Sequence, residues 1–244
     1  MQTQTQAVSS RKIVATCVEV WAELRFFAAL APARADGLFL SGDVGQRIFQ
    51  HPFSWASLGV DVRGRSHTLK VCYRTSQQIR RAADRLLPAV LRDTDGLEDE
   101  RRGIISVFDG PKPEVKSLAT VATEADTVRQ AVETWLGEGI APREIGLFVR
   151  TPQLVTRARA AIAGLAGADE IATAPMSLAK GLEFRAVADA ADEAELDDIY
   201  ETERRLLYVA CTRAREHLLL TGVTPTSEYL VDFTSRGEGP AASP

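Results

Sequence analysis

The sequence is poor in the residues from which metal centres and disulfide frameworks are built. Its three cysteines, Cys17, Cys72 and Cys211, are widely separated and its three histidines are scattered, so neither a C-x-x-C pair nor a zinc-ligand spacing is present. No apolar run approaches the roughly 20 residues that cross a bilayer, and the polar N-terminal segment lacks the apolar core of a signal peptide. We therefore expect no metal site, no membrane contact and a reducing, cytoplasmic location.

A basic excess is absent as well. Lys and Arg total 29 against 33 Asp and Glu, which gives a net charge of −4. A protein that coats nucleic acid is usually basic, so any DNA contact here has to be local rather than driven by the overall charge. The hydrophobic content of 45% and the length of 244 residues suit one or two globular domains with a real core.

Short apolar segments alternate with amphipathic ones along most of the chain. The apolar segments have the length of buried strands, and the amphipathic ones carry apolar residues at helical spacing. This alternation predicts an α/β fold with a mainly parallel central sheet and right-handed crossovers. The predicted strands are 38–40, 69–73, 104–108, 113–118, 145–149, 171–173, 185–188 and 217–221, and the predicted helices are 13–31, 79–90, 124–136, 151–165 and 201–216.

Two local signals add detail to this pattern. Thr75 and Gln78 have the spacing of a capping box, which predicts how the second helix begins. The segment from 189 to 200 is rich in Asp and Glu, which predicts a solvated loop or the start of a helix.

Arg213 breaks an otherwise regular helical pattern over residues 203–215. On a helical wheel Arg213 and Glu203 fall among the apolar residues, whereas Tyr208 and Thr212 fall on the polar side. A guanidinium stays charged in a protein, so a buried one normally has an anionic partner. That partner is either a carboxylate, with Glu203 as the nearest candidate, or the phosphate of a ligand. The wheel alone favours the salt bridge.

Polar residues follow two of the predicted strands. Asp43 and Gln46 come just beyond strand 38–40, where ligands bind in open α/β sheets, although a Gly-Asp turn alone is the commoner explanation. Tyr73 and Arg74 lie at a strand-to-helix junction that suits anion binding. The aromatic residues of 47–66, beside several arginines, would either stack on single-stranded bases or pack a linker against a neighbouring domain.

Four segments, in this order, resemble the motifs in the second half of superfamily 1 DNA helicases of the UvrD/Rep/PcrA group. Any one of them is moderate support, whereas four in order at strand or helix ends are strong support. The resemblance extends over about residues 24–230. The four segments are Gly42-Asp43-Val44-Gly45-Gln46, which is similar to G-D-x-x-Q, Tyr73-Arg74 within 69–76, Leu178-Ala-Lys-Gly-Leu-Glu-Phe184, and Glu203-Arg-Arg-Leu-Leu-Tyr-Val-Ala-Cys-Thr-Arg-Ala214.

The resemblance implies a role in ATP binding for six residues and a place at DNA for three more. Gln46 would sense the γ-phosphate, and Tyr73 would stack on adenine. Arg74 and Arg213 would contact the γ-phosphate as charge-stabilising arginines. Gly181 and Glu183 would lie at the nucleotide, with Glu183 near the ribose. The implied nucleotide residues are Gln46, Tyr73, Arg74, Gly181, Glu183 and Arg213. The implied DNA residues are Phe49 and Trp55, which would stack on single-stranded DNA, and Ser177, which stands where the family usually has a histidine that couples the two sites.

The resemblance also implies a domain organisation. A RecA-like three-layer domain would occupy 69–232, preceded by a linker at 51–68 and by a remnant of the first RecA-like domain at 13–50 that includes the G-D-x-x-Q motif. Disordered tails are expected at 1–12 and 233–244. The implied ligand is ATP with Mg²⁺, and the implied partners are single-stranded DNA and a first RecA-like domain.

Two motifs that such an ATPase needs are not in the sequence. No G-x-x-x-x-G-K-[ST] occurs anywhere, and the D-E-x-Q-D motif that holds magnesium is replaced by I-V-A-T-C-V-E-V-W-A-E at 13–23. Phosphoryl transfer depends on both, so we expect the chain alone to be inactive as an ATPase. Two hypotheses remain: the C-terminal half of an ATP-dependent 3′–5′ DNA helicase, or a truncated, non-catalytic module that binds DNA or protein.

Overall fold

The computed structural model describes residues 13–16, 21–30, 38–41, 43–46, 55–62, 64–65, 67–92, 98–100, 103–190, 200–226, 229–230 and 233. The expected tail at 1–12 lies outside the described residues, as do Phe49, the segment 191–199 and residues 234–244 of the tail expected at 233–244. Phe233, the first residue of that tail, is described and is buried. Within the described part, no helix is both long and apolar enough to span a membrane.

The described secondary structure contains eleven strands and five α-helices, together with seven short 3₁₀-helices. The strands are β1 Ile13–Thr16, β2 Leu38–Ser41, β3 Val71–Cys72, β4 Val90–Arg92, β5 Glu98–Glu100, β6 Ile105–Ser106, β7 Glu114–Leu118, β8 Ile145–Val149, β9 Ala172–Pro175, β10 Phe184–Ala190 and β11 Ala214–Val223. The helices are α1 Trp21–Leu30, α2 Gln77–Ala83, α3 Val121–Gly137, α4 Val155–Ala161 and α5 Tyr200–Cys211.

A five-stranded, entirely parallel sheet forms the centre of the molecule. Its strand order is β7-β11-β10-β8-β9. One face packs against α2 and α5 in a large apolar cluster, and the other packs against α3 and the segment that follows α4 in a second cluster. The predicted α/β fold, with three layers around a parallel sheet, is therefore confirmed.

The N-terminal part contains a separate parallel strand pair. β1 pairs with β2 in register from Ile13 opposite Leu38 to Thr16 opposite Ser41, and α1 lies between them in the chain. The prediction of one helix over 13–31 was wrong at its beginning, because Ile13, Val14 and Thr16 are β-branched and suit a paired strand. The prediction of a strand at 38–40 is confirmed.

Helix α5 ends earlier than its apolar pattern predicted. It stops at Cys211, and β11 begins at Ala214, so Arg213 lies in the turn between them and not on the helix. The backbone carbonyl of Arg213 accepts a hydrogen bond from the Phe184 amide at 3.0 Å, which joins this turn to β10. The helix therefore ends because of a long-range hydrogen bond to a neighbouring strand, which the local apolar periodicity cannot predict.

The predicted polar side of this helix was also wrong. Tyr208 and Thr212 are both buried, and burial is continuous from Leu206 to Arg213. The sheet and α2 cover one side of α5, while the turn at 43–46 covers another, since the Tyr208 hydroxyl donates to Asp43. A wheel assumes one buried face, whereas this helix end is enclosed all round.

The predicted capping box at the start of α2 is not formed. Ser76 is the N-cap residue and makes no side-chain cap, and the Gln78 side chain contacts a neighbouring loop instead. Its amide nitrogen donates to Asp109 at 3.0 Å, and its amide oxygen accepts from the Gly110 amide at 2.7 Å. A tertiary contact has replaced the local one.

Asp189 contradicts the predicted solvated character of 189–200. It lies on β10 with 1% of its surface exposed, between Phe148 of β8 and Leu220 of β11 in the register of the sheet. Neither of its carboxyl oxygens has a hydrogen-bond partner in the described structure. The apolar strands on both sides impose burial on a residue that the acidic composition predicted to be in water.

Gly146 on β8 provides a test of how tightly the sheet is packed beneath α5. A Cβ at Gly146 would lie 2.8 Å from the Phe184 ring, which is itself buried. We expect Gly146→Ala to lower the unfolding free energy by about 1–3 kcal/mol, as overpacking does. Urea denaturation measures this change. In the matched control Gly137→Ala the new methyl meets nothing within 4 Å, so stability should be unchanged or slightly higher. Equal behaviour of the two variants would contradict the packing.

Candidate functional site

Arg213 is almost completely buried, yet all of its hydrogen-bond acceptors are neutral. Its exposed fraction is 1%. The Nε donates to the Val209 carbonyl at 3.0 Å, and Nη1 donates to the Leu182 carbonyl at 3.3 Å. The Nη2 donates to Gln46 Oε1 at 3.1 Å and to Thr212 Oγ1 at 3.2 Å. Four neutral oxygens therefore orient the guanidinium without compensating its charge.

The salt bridge that the helical wheel favoured is not formed. Glu203 pairs with Arg150 at 3.0 Å, and Arg213 forms no ion pair with any described carboxylate. The pKa of Arg213 is lowered to about 10, mainly by burial and then by the neighbouring charge of Arg74, while Tyr208, Asp43 and Glu183 act in the opposite direction. The fold thus holds a buried cation whose counter-charges are near but not in contact.

Arg74 lies close to this guanidinium and is half-buried. It lies two residues after the end of β3, and its positive charge is near enough to disfavour the charged form of Arg213. Among the described residues Arg74 has neither a hydrogen bond nor an ion pair. Its neighbour Tyr73 is 75% exposed, so the tyrosine ring is free to contact a ligand. Two arginines without a carboxylate partner among the described residues therefore lie close together.

A turn from the N-terminal part completes the polar network. Asp43 Oδ1 accepts from the Gly45 amide at 2.8 Å, and Oδ2 accepts from Gln46 Nε2 at 3.0 Å. Tyr208 donates its hydroxyl to Asp43 Oδ2 at 3.2 Å, and Lys180 Nζ donates to the Gln46 carbonyl at 2.7 Å. Residues from three of the four sequence motifs are thus in direct contact.

The network lies at the amino ends of the central strands. Glu183 directly precedes β10 and Arg213 directly precedes β11, so both side chains belong to that edge of the sheet. The carboxyl-end rule for open sheets applies only to Asp43 and Gln46, which follow β2. The site therefore combines the carboxyl end of the N-terminal strand pair with the amino end of the large sheet.

The remaining predicted residues differ in their burial and in the elements that they contact. Gly181 is an exposed turn residue with a φ of 81°, a conformation that favours glycine. Glu183 is exposed, and its charge raises the pKa of Arg213, which places it at the site. Ser177 is half-buried in a short 3₁₀-helix that packs against α5. Trp55 is half-buried before a 3₁₀-helix that packs against α1.

Sequence reasoning missed two residues of the network, Tyr208 and Lys180. The wheel placed Tyr208 in solvent, and Lys180 was treated only as part of a motif. A large aromatic residue within the apolar run from Leu206 to Cys211 was the available signal for Tyr208. Nothing in the local sequence indicated that Lys180 reaches a carbonyl 134 positions away.

The described residues do not fit a magnesium site. No group of three or more His, Cys, Asp or Glu in the described part of the chain is arranged to hold a metal ion. Asp43, the acidic residue within the network, already accepts hydrogen bonds from Gly45, Gln46 and Tyr208. Its oxygens are therefore engaged by donors and are not directed at a common point, as cation ligands would be.

Comparisons with known proteins agree with this geometry. A solved structure, described as the C-terminal domain of a possible DNA helicase from Lactobacillus plantarum WCFS1, is similar with a TM-score of 0.50 and 23% identity. The match covers 67% of this chain and 94% of that chain, and at this identity it shows the fold alone. The curated proteins gave no match. Residues 177–221, which include Gly181, Glu183 and Arg213, match the model of the UvrD-like helicase C-terminal domain, which confirms the resemblance seen in the sequence.

Proposed function

We propose that this chain is part of a DNA helicase and supplies the arginine side of its ATP site. The match to the UvrD-like helicase C-terminal domain supports a helicase part. The observation that carries the finer proposal is the buried Arg213, whose acceptors are all neutral, beside Arg74, which has no partner among the described residues. The other side of the site, with the P-loop, belongs to a first RecA-like domain that these 244 residues do not include.

The charges of Arg74 and Arg213 favour a polyphosphate ligand. Two neighbouring guanidiniums repel each other, and the repulsion and the burial both act against the charged form of Arg213. A polyphosphate carries several negative charges and presents acceptors that match the planar donors of arginine. Binding such a ligand would supply the counter-charge that the fold leaves out. Arginines placed in this way stabilise the charge that develops in phosphoryl transfer.

The other residues take their proposed roles from their positions. Tyr73 would stack its exposed ring on adenine, Gly181 and Glu183 would lie at the nucleotide near the ribose, and Gln46 would respond to the γ-phosphate through its contact with Arg213. Bound Mg²⁺ would neutralise phosphate charge, and its ligands would come from the partner domain. The residues of this chain bind and orient the nucleotide.

A contact with single-stranded DNA is part of the same proposal. The net charge of −4 provides no general attraction, so the contact would rest on local residues. Trp55 and Phe49 would stack on bases, and Ser177 would lie between the DNA and nucleotide sites because its 3₁₀-helix packs against α5.

An exposed apolar surface beside Arg74 supports a partner domain. β3 and β6 pair with Val71 opposite Ile105, and both of these side chains are exposed. Tyr73 and Val107 continue the same faces of the two strands and are also exposed. Contiguous apolar surface of this kind marks interaction sites. Its position next to Arg74 fits a domain that closes over the nucleotide.

The experiment that tests the proposal compares ATP with ADP. Isothermal titration of the 244-residue chain is expected to show weak binding of both, with ATP preferred by about tenfold or more, since only ATP offers a γ-phosphate to the arginines. Equal affinities would contradict the γ-phosphate contact.

Measuring ATP hydrolysis tests whether the ATP site is divided between this chain and a partner domain. The chain alone is expected to hydrolyse no ATP, with or without single-stranded DNA, because the phosphate cradle and the magnesium ligands are missing. DNA-stimulated hydrolysis that disappears in Arg213→Ala would show that the chain contains a complete site, and the proposed division would be wrong.

A further inference from the structure

We propose that Asp43 and Tyr208 are positioning residues that fix the side-chain amide of Gln46 with its oxygen toward Arg213. The geometric part of this inference stands on the described contacts, and only its consequence for nucleotide binding rests on the proposed function. Both residues act through Gln46 and touch neither nucleotide nor DNA in the proposal.

The orientation of Gln46 follows from the chemistry of its two neighbours. An amide has an oxygen end that accepts and a nitrogen end that donates, and the two ends have nearly the same shape. An ionised carboxylate only accepts, so the nitrogen end of Gln46 faces Asp43 at 3.0 Å. The oxygen end is then directed at Arg213, which only donates, at 3.1 Å. Asp43 on one side and Arg213 on the other leave a single favourable orientation.

Asp43 is itself held by two further donors. The Gly45 amide donates to Oδ1 at 2.8 Å within the turn, and Tyr208 donates to Oδ2 at 3.2 Å from helix α5. The Tyr208 side chain is fully buried, so its hydroxyl has little freedom to move. Tyr208 therefore places the carboxylate oxygen to which Gln46 donates.

The C-terminal end of helix α5 connects Tyr208 to Arg213. The Tyr208 carbonyl accepts from the Thr212 amide at 3.0 Å, and Arg213 follows in the chain. The same helix end thus carries the tyrosine that holds Asp43 and the arginine that meets Gln46. Lys180 fixes the backbone of Gln46 from a third direction. The negative charge of Asp43 reaches Arg213 through the polarised amide, so Gln46 replaces the direct salt bridge that is absent here.

The substitution Asp43→Asn tests this arrangement with almost no change in shape. At least three donors converge on Asp43, whereas asparagine offers one oxygen and adds an NH₂ group. Whichever way the asparagine turns, one donor meets another donor. If the Gly45 contact is kept, Gln46 must rotate and present its own NH₂ to Arg213. We expect the Arg213 Nη2 hydrogens to exchange with solvent about tenfold faster, measured by NMR, because they lose the hydrogen bond that Gln46 Oε1 accepts.

A compensating variant shows whether orientation, and not general damage, is responsible. In Asp43→Asn with Gln46→Glu, the asparagine NH₂ donates to the new carboxylate, which still offers an oxygen to Arg213. Exchange of the Arg213 Nη2 hydrogens should return to within about threefold of the original rate. Tyr208→Phe removes one hydroxyl and should accelerate this exchange by less than Asp43→Asn does. Asp84→Asn is the matched control, because Asp84 pairs with Arg80 on α2, and it should change nothing at Arg213.

The outcomes separate this inference from the proposed function. Unchanged exchange in Asp43→Asn would overturn the inference, and so would accelerated exchange that the added Gln46→Glu fails to reverse. Equal affinities for ATP and ADP in the unaltered chain, with the exchange pattern as expected, would overturn the proposed function and leave the positioning role standing. If both hold, Asp43→Asn should also reduce the preference for ATP over ADP.

Discussion

Replacing Arg213 with methionine is expected to abolish the preference of the chain for ATP over ADP. Losing one partner of a buried, hydrogen-bonded charge pair costs about 2–5 kcal/mol, which corresponds to roughly a 30- to 5,000-fold weaker Kd. ADP lacks the phosphate group that the proposal assigns to Arg213, so its affinity should change far less. Isothermal titration of both nucleotides measures the effect. Methionine is chosen because its unbranched side chain fills much of the same space without donating a hydrogen bond.

The same substitution is not expected to unfold the protein. Burial already lowers the pKa of Arg213 to about 10, so the folded state disfavours the charged guanidinium. A buried charge without an ion-pair partner carries an uncompensated desolvation cost, and removing that cost offsets the loss of the four hydrogen bonds that Arg213 donates. We therefore expect the urea midpoint to stay the same or to rise while the ATP preference disappears. If Arg213 instead served mainly to stabilise the fold, Arg213→Met would lower the urea midpoint. Nucleotide binding would then be lost only because the chain unfolds.

Two control variants make the result specific. Arg185→Met removes an arginine that pairs with Glu216 at 2.7 Å, away from the network, and should leave the affinities for both nucleotides unchanged. Tyr73→Ala should weaken ATP and ADP to the same extent, because the stacking on adenine is common to both. An Arg213→Met chain that still prefers ATP would refute the γ-phosphate contact, whatever its stability.

The strands of the central sheet were the most predictable part of the structure. β8 was predicted at 145–149 and is observed as Ile145–Val149, because a short continuous apolar run between polar segments is typical of a strand buried on both faces. The end of α5 was not predictable, since it depends on the hydrogen bond between Phe184 and Arg213 across 29 positions. Local pattern identifies elements, whereas tertiary pairing determines where they stop.

The candidate site shows the same division. Its residues were found through ordered motifs, and the structure brings Gln46, Arg74, Glu183 and Arg213 together. Their partners were not found, because Asp43 and Tyr208 are 165 positions apart and no periodicity relates them. The wheel correctly required that Arg213 be buried, and it failed on the partner because the compensating charge acts through the amide of Gln46.

Asp189 accounts for the second large effect that we expect, which is on stability. Its carboxyl group is buried between Phe148 and Leu220 with no hydrogen-bond partner for either oxygen in the described structure. Valine has two branches on Cβ and suits a buried strand, so Asp189→Val should fit the same space. We expect the unfolding free energy at pH 8 to rise by about 2–4 kcal/mol, the range seen when an uncompensated buried polar or charged group is removed. Urea denaturation of the two chains measures the difference.

The dependence of this effect on pH has a definite sign. Burial raises the pKa of the Asp189 carboxyl well above its ordinary value, so the folded chain binds this proton more tightly than the unfolded chain does. The contribution of Asp189 to the unfolding free energy is highest below the unfolded pKa of about 4. It falls as the pH rises toward the folded pKa, and it is constant above that pKa. One titratable neighbour is Cys211 of α5, whose thiol pKa is also raised, first by burial and then by Asp189.

The advantage of Asp189→Val over the original chain should therefore be smallest near pH 4 and grow with increasing pH. Urea midpoints between pH 4 and pH 9 measure this trend. Asp189→Asn should remove the same pH dependence, because it cannot ionise, but it should give less stability than valine since its amide remains without partners. Asp126→Asn, at an exposed position on α3, is the control and should follow the pH profile of the original chain. If the advantage of valine is the same at every pH, Asp189 does not titrate with folding, and its cost is that of a buried polar group alone.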